Sequence, residues 1–218
     1  MAKLQSINPS NYEVLGEVEI SSPQEIAEKV RLAREAQKEW RDLGVAGRVL
    51  LLRKTFDEFK SKKEELALLE AREMGMPISD ALGGFGSALD YANWYFNNAE
   101  KYVNPETTFE NDKEIHQVLY EPIGVAAVII PWNFPLDNFI WGSLQSLIVG
   151  NTVVLKHSEE CPLSGRFIED IMARHVPKGV FNEVYGDGEV GKLLVEQDIN
   201  MIAFTGSTKT GKYLYEVA

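Results

Sequence analysis

The 218-residue chain has a single cysteine, Cys161, which excludes an internal disulfide framework and fits a reducing compartment such as the cytoplasm. Its three histidines, His116, His157 and His175, show no metal-ligand spacing, so no metal site is expected. Basic residues are outnumbered, 22 Lys and Arg against 33 Asp and Glu, and the formal net charge is -11. That balance excludes nucleic acid and an anionic membrane surface as main partners. The N-terminal stretch MAKLQSINPSNYEVLGE has no apolar core of the kind a secretory signal needs. The least charged run, Pro122 to Leu155, carries only Asp137, but its prolines, glycines and polar residues leave no clean apolar twenty-mer to span a membrane. There is no internal repeat and no low-complexity segment. The length fits one large domain, or one and a part.

What is present is organised around Val125 to Glu159. A β-branched run, Val125 to Ile130, leads into Pro131-Trp132-Asn133-Phe134-Pro135. An apolar helical segment, Asp137 to Val149, stops at Gly150 and Asn151, and a second β-branched run, Thr152 to Leu155, ends on Lys156. Strand, turn, helix, strand predicts two parallel strands buried on both faces. The prolines stiffen the turn. Asn133 is thereby held at the carboxyl end of a parallel strand, where open α/β sheets bind ligands and where a side-chain amide can donate to an oxyanion. A purely structural turn is the competing reading.

Before this unit, a short alternating run at Tyr12 to Ile20 reads as a hairpin or an arm. Ser22 and Pro23 open a helix whose apolar face is Ile26, Val30, Ala33, Ala36 and Trp40. After a break at Leu43-Gly44, one long helix is expected from about Ala46 to Met74, closed by Gly75, with its Lys and Glu residues in solvent. A further helical segment runs from Met76-Pro77 to Tyr102. Gly83, Gly84 and Gly86 inside it suggest close packing or a local break, and Trp94, Tyr95 and Phe96 read as core. Asn104 to Asn111 reads as a polar loop and Lys113 to Tyr120 as an exposed strand. Beyond Lys156 the pattern continues as helix Pro162–His175, strand Phe181–Tyr185, helix Gly188–Val195, strand Met201–Phe204 and helix Lys209–Val217.

Several residues in this second half carry possible chemistry. Gly186 to Gly191 matches GxGxxG between strand and helix, but it follows the third strand, and the next strand ends without a ribose-binding carboxylate. Phe204-Thr205-Gly206-Ser207 places a glycine and a hydroxyl at a helix N-terminus, which suits a phosphate or a simple cap. Lys156 and Glu159, after the second strand, suit ribose hydroxyls or form a surface ion pair. Cys161 stands at a helix start, but Glu159 and Glu160 oppose thiolate formation and no histidine is adjacent, which argues against a nucleophile.

Four segments, EPIGVAAVIIPWNFP, GNTVVLKHSEECPLS, GVFNEVYGDGEVG and INMIAFTGSTKTGK, come in an order and spacing that resemble the NAD(P)-dependent aldehyde dehydrogenase superfamily. The resemblance extends over the helical N-terminal third. It implies an open parallel Rossmann-like sheet with helices on both faces, a helical N-terminal region and a short oligomerisation arm. Residues 1–105 and 122–218 would form the NAD-binding domain, and 106–121 would belong to the arm of a homo-oligomer. Asn133 would be the oxyanion-hole amide. Ile129, Ile130, Pro131 and Trp132 would line the nicotinamide half of the cleft. Lys156 and Glu159 would hold the adenosine ribose, Gly186 and Phe204 would flank the adenine, and Gly206 with Ser207 would meet the pyrophosphate. Glu159 implies NAD rather than NADP, since a carboxylate repels a 2′-phosphate. His157 stands where the family usually has proline, which should loosen that turn.

The family's Glu-Leu-Gly-Gly general base and its cysteine nucleophile follow later in such chains, and Cys161 does not match the nucleophile. The expectation is therefore an N-terminal, cofactor-binding portion of an enzyme that oxidises a small aldehyde through a cysteine thiohemiacetal, truncated, inactive alone and prone to associate through an uncovered apolar face and an open sheet edge. The alternatives are a non-catalytic nucleotide-binding or oligomerisation module, and a different dehydrogenase using the Gly186–Gly191 loop for pyrophosphate.

Overall fold

The structure, a computed structural model, describes residues 2–218. β1 (Lys3–Ile7) and β2 (Val14–Glu19) form an antiparallel hairpin. Four helices follow, α1 (Pro23–Asp42), α2 (Gly44–Ser61), α3 (Lys63–Met74) and α4 (Ile78–Val103). A second hairpin, β3 (Glu106–Glu110) with β4 (Ile115–Val118), is exposed along both strands. The remainder alternates: β5 (Val125–Ile129), α5 (Pro135–Val149), β6 (Thr152–Lys156), α6 (Pro162–His175), β7 (Phe181–Glu183), α7 (Gly188–Val195), β8 (Met201–Phe204) and α8 (Thr208–Val217).

The last four strands make one parallel sheet in the order β7-β6-β5-β8. Because β-strand side chains alternate, the central strands β5 and β6 feed two cores. Val125 and Ala127 of β5 and Val154 of β6 pack with Ile26, Val30 and Ala33 of α1 and with Val190 and Leu194 of α7. Ala126 and Val128, with Val153 and Leu155, pack with α5, α6 and the N-terminal helices on the other face. Both faces are thus covered, which is why β5 and β6 read as unbroken apolar runs. A Cβ on Gly142 of α5 would lie 2.7 Å from Val128 Cγ1, so this glycine sets how closely the helix approaches the sheet.

The stretch before β5 differs from expectation in four places. The expected helix from Ala46 to Met74 is two helices, α2 and α3, parted at Lys62 (φ -107°, ψ 15°). The break turns α3 so that Glu70 and Glu73 are buried rather than solvated. α4 runs unbroken through its glycines. Gly83 and Gly86 face open space, and the neighbour of Gly84, Asp137 Oδ2, is at an ordinary 3.4 Å, so close packing is not their reason. Asn104 to Asn111, expected as a loop, contains β3, because its Thr-Thr-Phe pairs with β4. Of Trp94, Tyr95 and Phe96, only Phe96 is core; Trp94 is exposed and stacks on Tyr102.

Candidate functional site

The chain order β5, β6, β7 grows the sheet in one direction, and β8 then returns to the other side of β5. The reversal opens a crevice between the carboxyl ends of β5 and β8, where Ile129 pairs with Phe204. A cleft of about 660 Å³ lies there, within the usual size of small-molecule sites. Ile129, Ile130, Pro131 and Trp132 line it from the β5 end, Lys156 and Glu159 from the β6 end, and Phe204, Gly206 and Ser207 from the β8 end. The two corners singled out in the sequence, the proline turn and the Thr-Gly-Ser bend, therefore open on one cavity.

Two expected residues do not line it. Gly186 (φ +147°) is buried against Val190, and a Cβ there would lie 2.3 Å from Val190 Cγ2. Its role in this fold is to let the chain turn into α7, and it is Gly188 and Gly191, in the first turn of α7, that reach the cleft. Asn133 is exposed on the proline turn beside the cavity. Its Oδ1 accepts from Asn138 Nδ2 at 3.4 Å, which leaves the Asn133 amide N–H groups free to donate outward. Lys192, Lys209 and Tyr213 also line the cleft. They were missed because they sit on helix faces, where nothing in the local sequence separates a cleft lysine from a solvated one.

The Lys156 side chain is buried. Its Nζ donates to the His157 carbonyl at 3.1 Å and to Glu159 Oε2 at 3.4 Å, so one of the three ammonium hydrogens remains for a ligand. Glu159 is half exposed and keeps acceptor capacity for hydroxyls. At the β8 end, Ser207 caps α8 by accepting the Thr210 N–H at 3.1 Å. The preceding N–H groups of a helix start have no intrahelical partner and favour an anion. Apolar walls for flat rings, a lysine and a carboxylate for sugar hydroxyls, and a helix N-terminus for phosphate fit a dinucleotide.

Cys161 is fully buried, and burial pushes its thiol well above the usual range, with Glu73, Glu183 and Glu70 adding to the effect. It is unsuited to nucleophilic attack. Among the described residues no cluster of His, Cys, Asp and Glu is arranged to hold a metal, and no helix is long and apolar enough to cross a membrane.

α5, which carries the proline turn, starts without a side-chain cap of its own, and Glu70 of α3 accepts the Leu136 N–H at 2.9 Å. Burial raises the Glu70 carboxyl from 4.5 to about 7, against the opposing pull of the Leu136 N–H. A folded-state value above the unfolded one means the native protein holds this proton longer, so stability falls as pH rises through the interval between them. Relative to Glu70→Gln, the parent is expected to lose roughly 2–3 kcal/mol between about pH 5 and pH 8. Urea unfolding of both proteins at the two pH values checks this, and parallel profiles would contradict it.

The aldehyde dehydrogenase family model matches residues 2–218. An aldehyde dehydrogenase of Aspergillus niger is 34% identical over 98% of this chain and 44% of its own length. A 1-pyrroline-5-carboxylate dehydrogenase of Staphylococcus saprophyticus is 32% identical over 98% of this chain and 42% of its own. The chain thus spans less than half the length of the curated relatives it matches. The solved NAD+ complex of an aldehyde dehydrogenase from Bacillus cereus superposes with a TM-score of 0.92 at 33% identity, over 99% of this chain and 45% of that one. With a family model matched along the whole described chain and a sheet, switch point and cleft of the same fold, the chain belongs to the aldehyde dehydrogenase family.

Proposed function

We propose that residues 1–218 supply the NAD-binding half and the oxyanion donor of an enzyme that oxidises small aldehydes to carboxylic acids, in the cytoplasm. The observation that carries this reading is the convergence of the β5, β6 and β8 ends on one cleft with both ribose-type and phosphate-type partners. Bound NAD would accept the hydride from the aldehyde carbon. The chain's own residues bind and orient. Glu159 accepts from the adenosine ribose and Lys156 donates to it, Gly206, Ser207 and the α8 N-terminus take the pyrophosphate, and Ile129 to Trp132 hold the nicotinamide side. Asn133 Nδ2 donates to the aldehyde oxygen as negative charge grows there, an interaction whose loss slows comparable reactions about a hundred- to a thousandfold. These 218 residues alone oxidise no aldehyde, because their only thiol, Cys161, is buried and held protonated. Glu159 selects NAD over NADP by repelling a 2′-phosphate. The exposed β3–β4 hairpin, with Phe109, Ile115 and Val118 uncovered, serves as an association arm, which sedimentation with and without residues 106–121 tests.

Calorimetric titration with NAD tests the cofactor site. Glu159→Ala and Ser207→Ala should each weaken binding about tenfold, the worth of one or two hydrogen bonds. NADP should bind more weakly than NAD to the parent and gain relative to it in Glu159→Ala. A parent protein that binds no NAD would leave the non-catalytic module as the better account. Gly188→Val probes the Gly186–Gly191 loop, since a Cβ there meets nothing within 4 Å. Binding abolished by that change and indifferent to Ser207→Ala would move the pyrophosphate to the α7 end.

A further inference from the structure

His157 was expected to loosen the turn it occupies, and the structure gives it buried partners there. Its imidazole is buried between Glu183 of β7, Gly165 of α6 and the start of α5. Nδ1 lies 2.5 Å from Glu183 Oε1 of β7, and Nε2 lies 3.4 Å from the carbonyl oxygen of Pro135, the last residue of the proline turn. Its own backbone carbonyl accepts from Lys156 Nζ at 3.1 Å. Space for the pair is opened by Gly165 of α6, where a Cβ would lie 2.2 Å from Glu183 Oε1 and 2.9 Å from His157 Nδ1. The other oxygen of Glu183 is buried and unpartnered among the described residues.

We propose that the His157–Glu183 pair is a positioning strut that holds the Pro131–Pro135 turn in register with the Lys156–Glu159 turn, so that both halves of the cofactor are met at once. It rests on the cleft being a dinucleotide site, as read above. A carbonyl only accepts, so Nε2 carries a hydrogen. One further proton lies between Nδ1 and Glu183. Whether it resides on the imidazole or on the carboxyl, the proton count is the same and the Nε2–H bond to Pro135 survives. Burial raises the Glu183 carboxyl, and the neighbouring His157 opposes that shift. β6 ends at Lys156, whose carbonyl accepts the Ile130 N–H at 3.2 Å just before the proline turn. His157 meets the far end of the turn at Pro135, where α5 begins, two residues beyond Asn133.

The test uses two isosteric changes. His157→Asn keeps a polar group facing Glu183 but has nothing at the Nε2 position; His157→Gln reaches that position and can donate to Pro135. In His157→Asn, hydrogen exchange at the Leu136 and Asn138 amides, which are bonded to Glu70 and to the Phe134 carbonyl where the proline turn enters α5, should speed up about tenfold, with exchange in β5 and β6 unchanged. NAD affinity should fall about tenfold while affinity for AMP, which fills only the adenosine half, stays within about twofold. His157→Gln should restore most of both. The strut is overturned if exchange at Leu136 and Asn138 is unchanged in His157→Asn, or if NAD and AMP weaken together. If the parent binds neither nucleotide, the dinucleotide reading fails, and the exchange result still decides whether His157 holds the turn.

Discussion

Replacing Glu73 by alanine is expected to lower the melting temperature by about 10 °C. This carboxylate, buried on α3, accepts the Ser6 hydroxyl at 2.6 Å, the Leu163 and Ser164 N–H groups at 3.0 and 2.8 Å, and the Ser164 hydroxyl at 2.5 Å. α6 starts on Pro162 with no side-chain cap of its own, so Glu73 does from a distance what an N-cap residue does locally. It also ties the β1–β2 hairpin to the helical layer through Ser6. Truncation leaves these donors buried without an acceptor. At about 1 kcal/mol for each lost bond, the total is roughly 3–4 kcal/mol. In a domain of this size each kcal/mol shifts the midpoint by about 2–4 °C. Glu73→Gln keeps the shape and part of the acceptor capacity and should cost about half as much. Scanning calorimetry reads both, and a Glu73→Ala protein that melts with the parent would mean the donors find other partners.

Arg48→Met is expected to cost about 3 kcal/mol, the second large effect. Arg48 is buried where two helices end. Its Nε donates to the Ile148 carbonyl of α5 at 2.8 Å, and Nη1 donates to the Arg41 and Trp40 carbonyls of α1 at 2.7 and 3.3 Å. Helix C-termini present unpaired carbonyls and partial negative charge, so one guanidinium serves both ends. Burial lowers its affinity for the proton, yet arginine stays charged where lysine would yield. Gly150 leaves the room, since a Cβ there would lie 3.2 Å from Nη1. Arg48→Lys should recover only part of the loss, because one ammonium cannot match the fork. Arg48 does not line the cleft, so NAD affinity, measured below the unfolding transition, should stay within about twofold of the parent. Urea unfolding that shows less than 1 kcal/mol lost for Arg48→Met would rule out this double cap.

These two side chains mark where the amino-acid order was hard to read. In Lys63–Met74 the glutamates look alike, and helical periodicity alone assigns them to solvent. Only the break at Lys62 turns Glu70 and Glu73 inward against the starts of α5 and α6. The alternating half was far more legible. β-branched runs, stopping glycines and prolines at helix starts are local signals, and α6, α7 and β8 lie where the pattern put them. Asn133, Lys156, Glu159, Gly206 and Ser207 could be singled out because each sits at a strand end or helix start, where unpaired backbone groups and stiff turns concentrate chemistry. Lys192 and Tyr213, on helix faces, carry no such mark.

Read alone, the chain determined its class, the succession of strands and helices from Val125 onward, and the family those motifs point to, because strand branching, helix stops and turn prolines act over a few residues. Tertiary structure decided the rest. It put β8 beside β5 rather than beside β7, which is what makes a cleft of two separate turns, and it kept Gly186 out of the lining of that cleft. It also converted His157 from an expected weak point into a buried link to Glu183, 26 positions away, and set α3 carboxylates on helix starts far along the chain. Contacts of that kind depend on which surfaces meet once the sheet and its helices pack, and no local pattern records them.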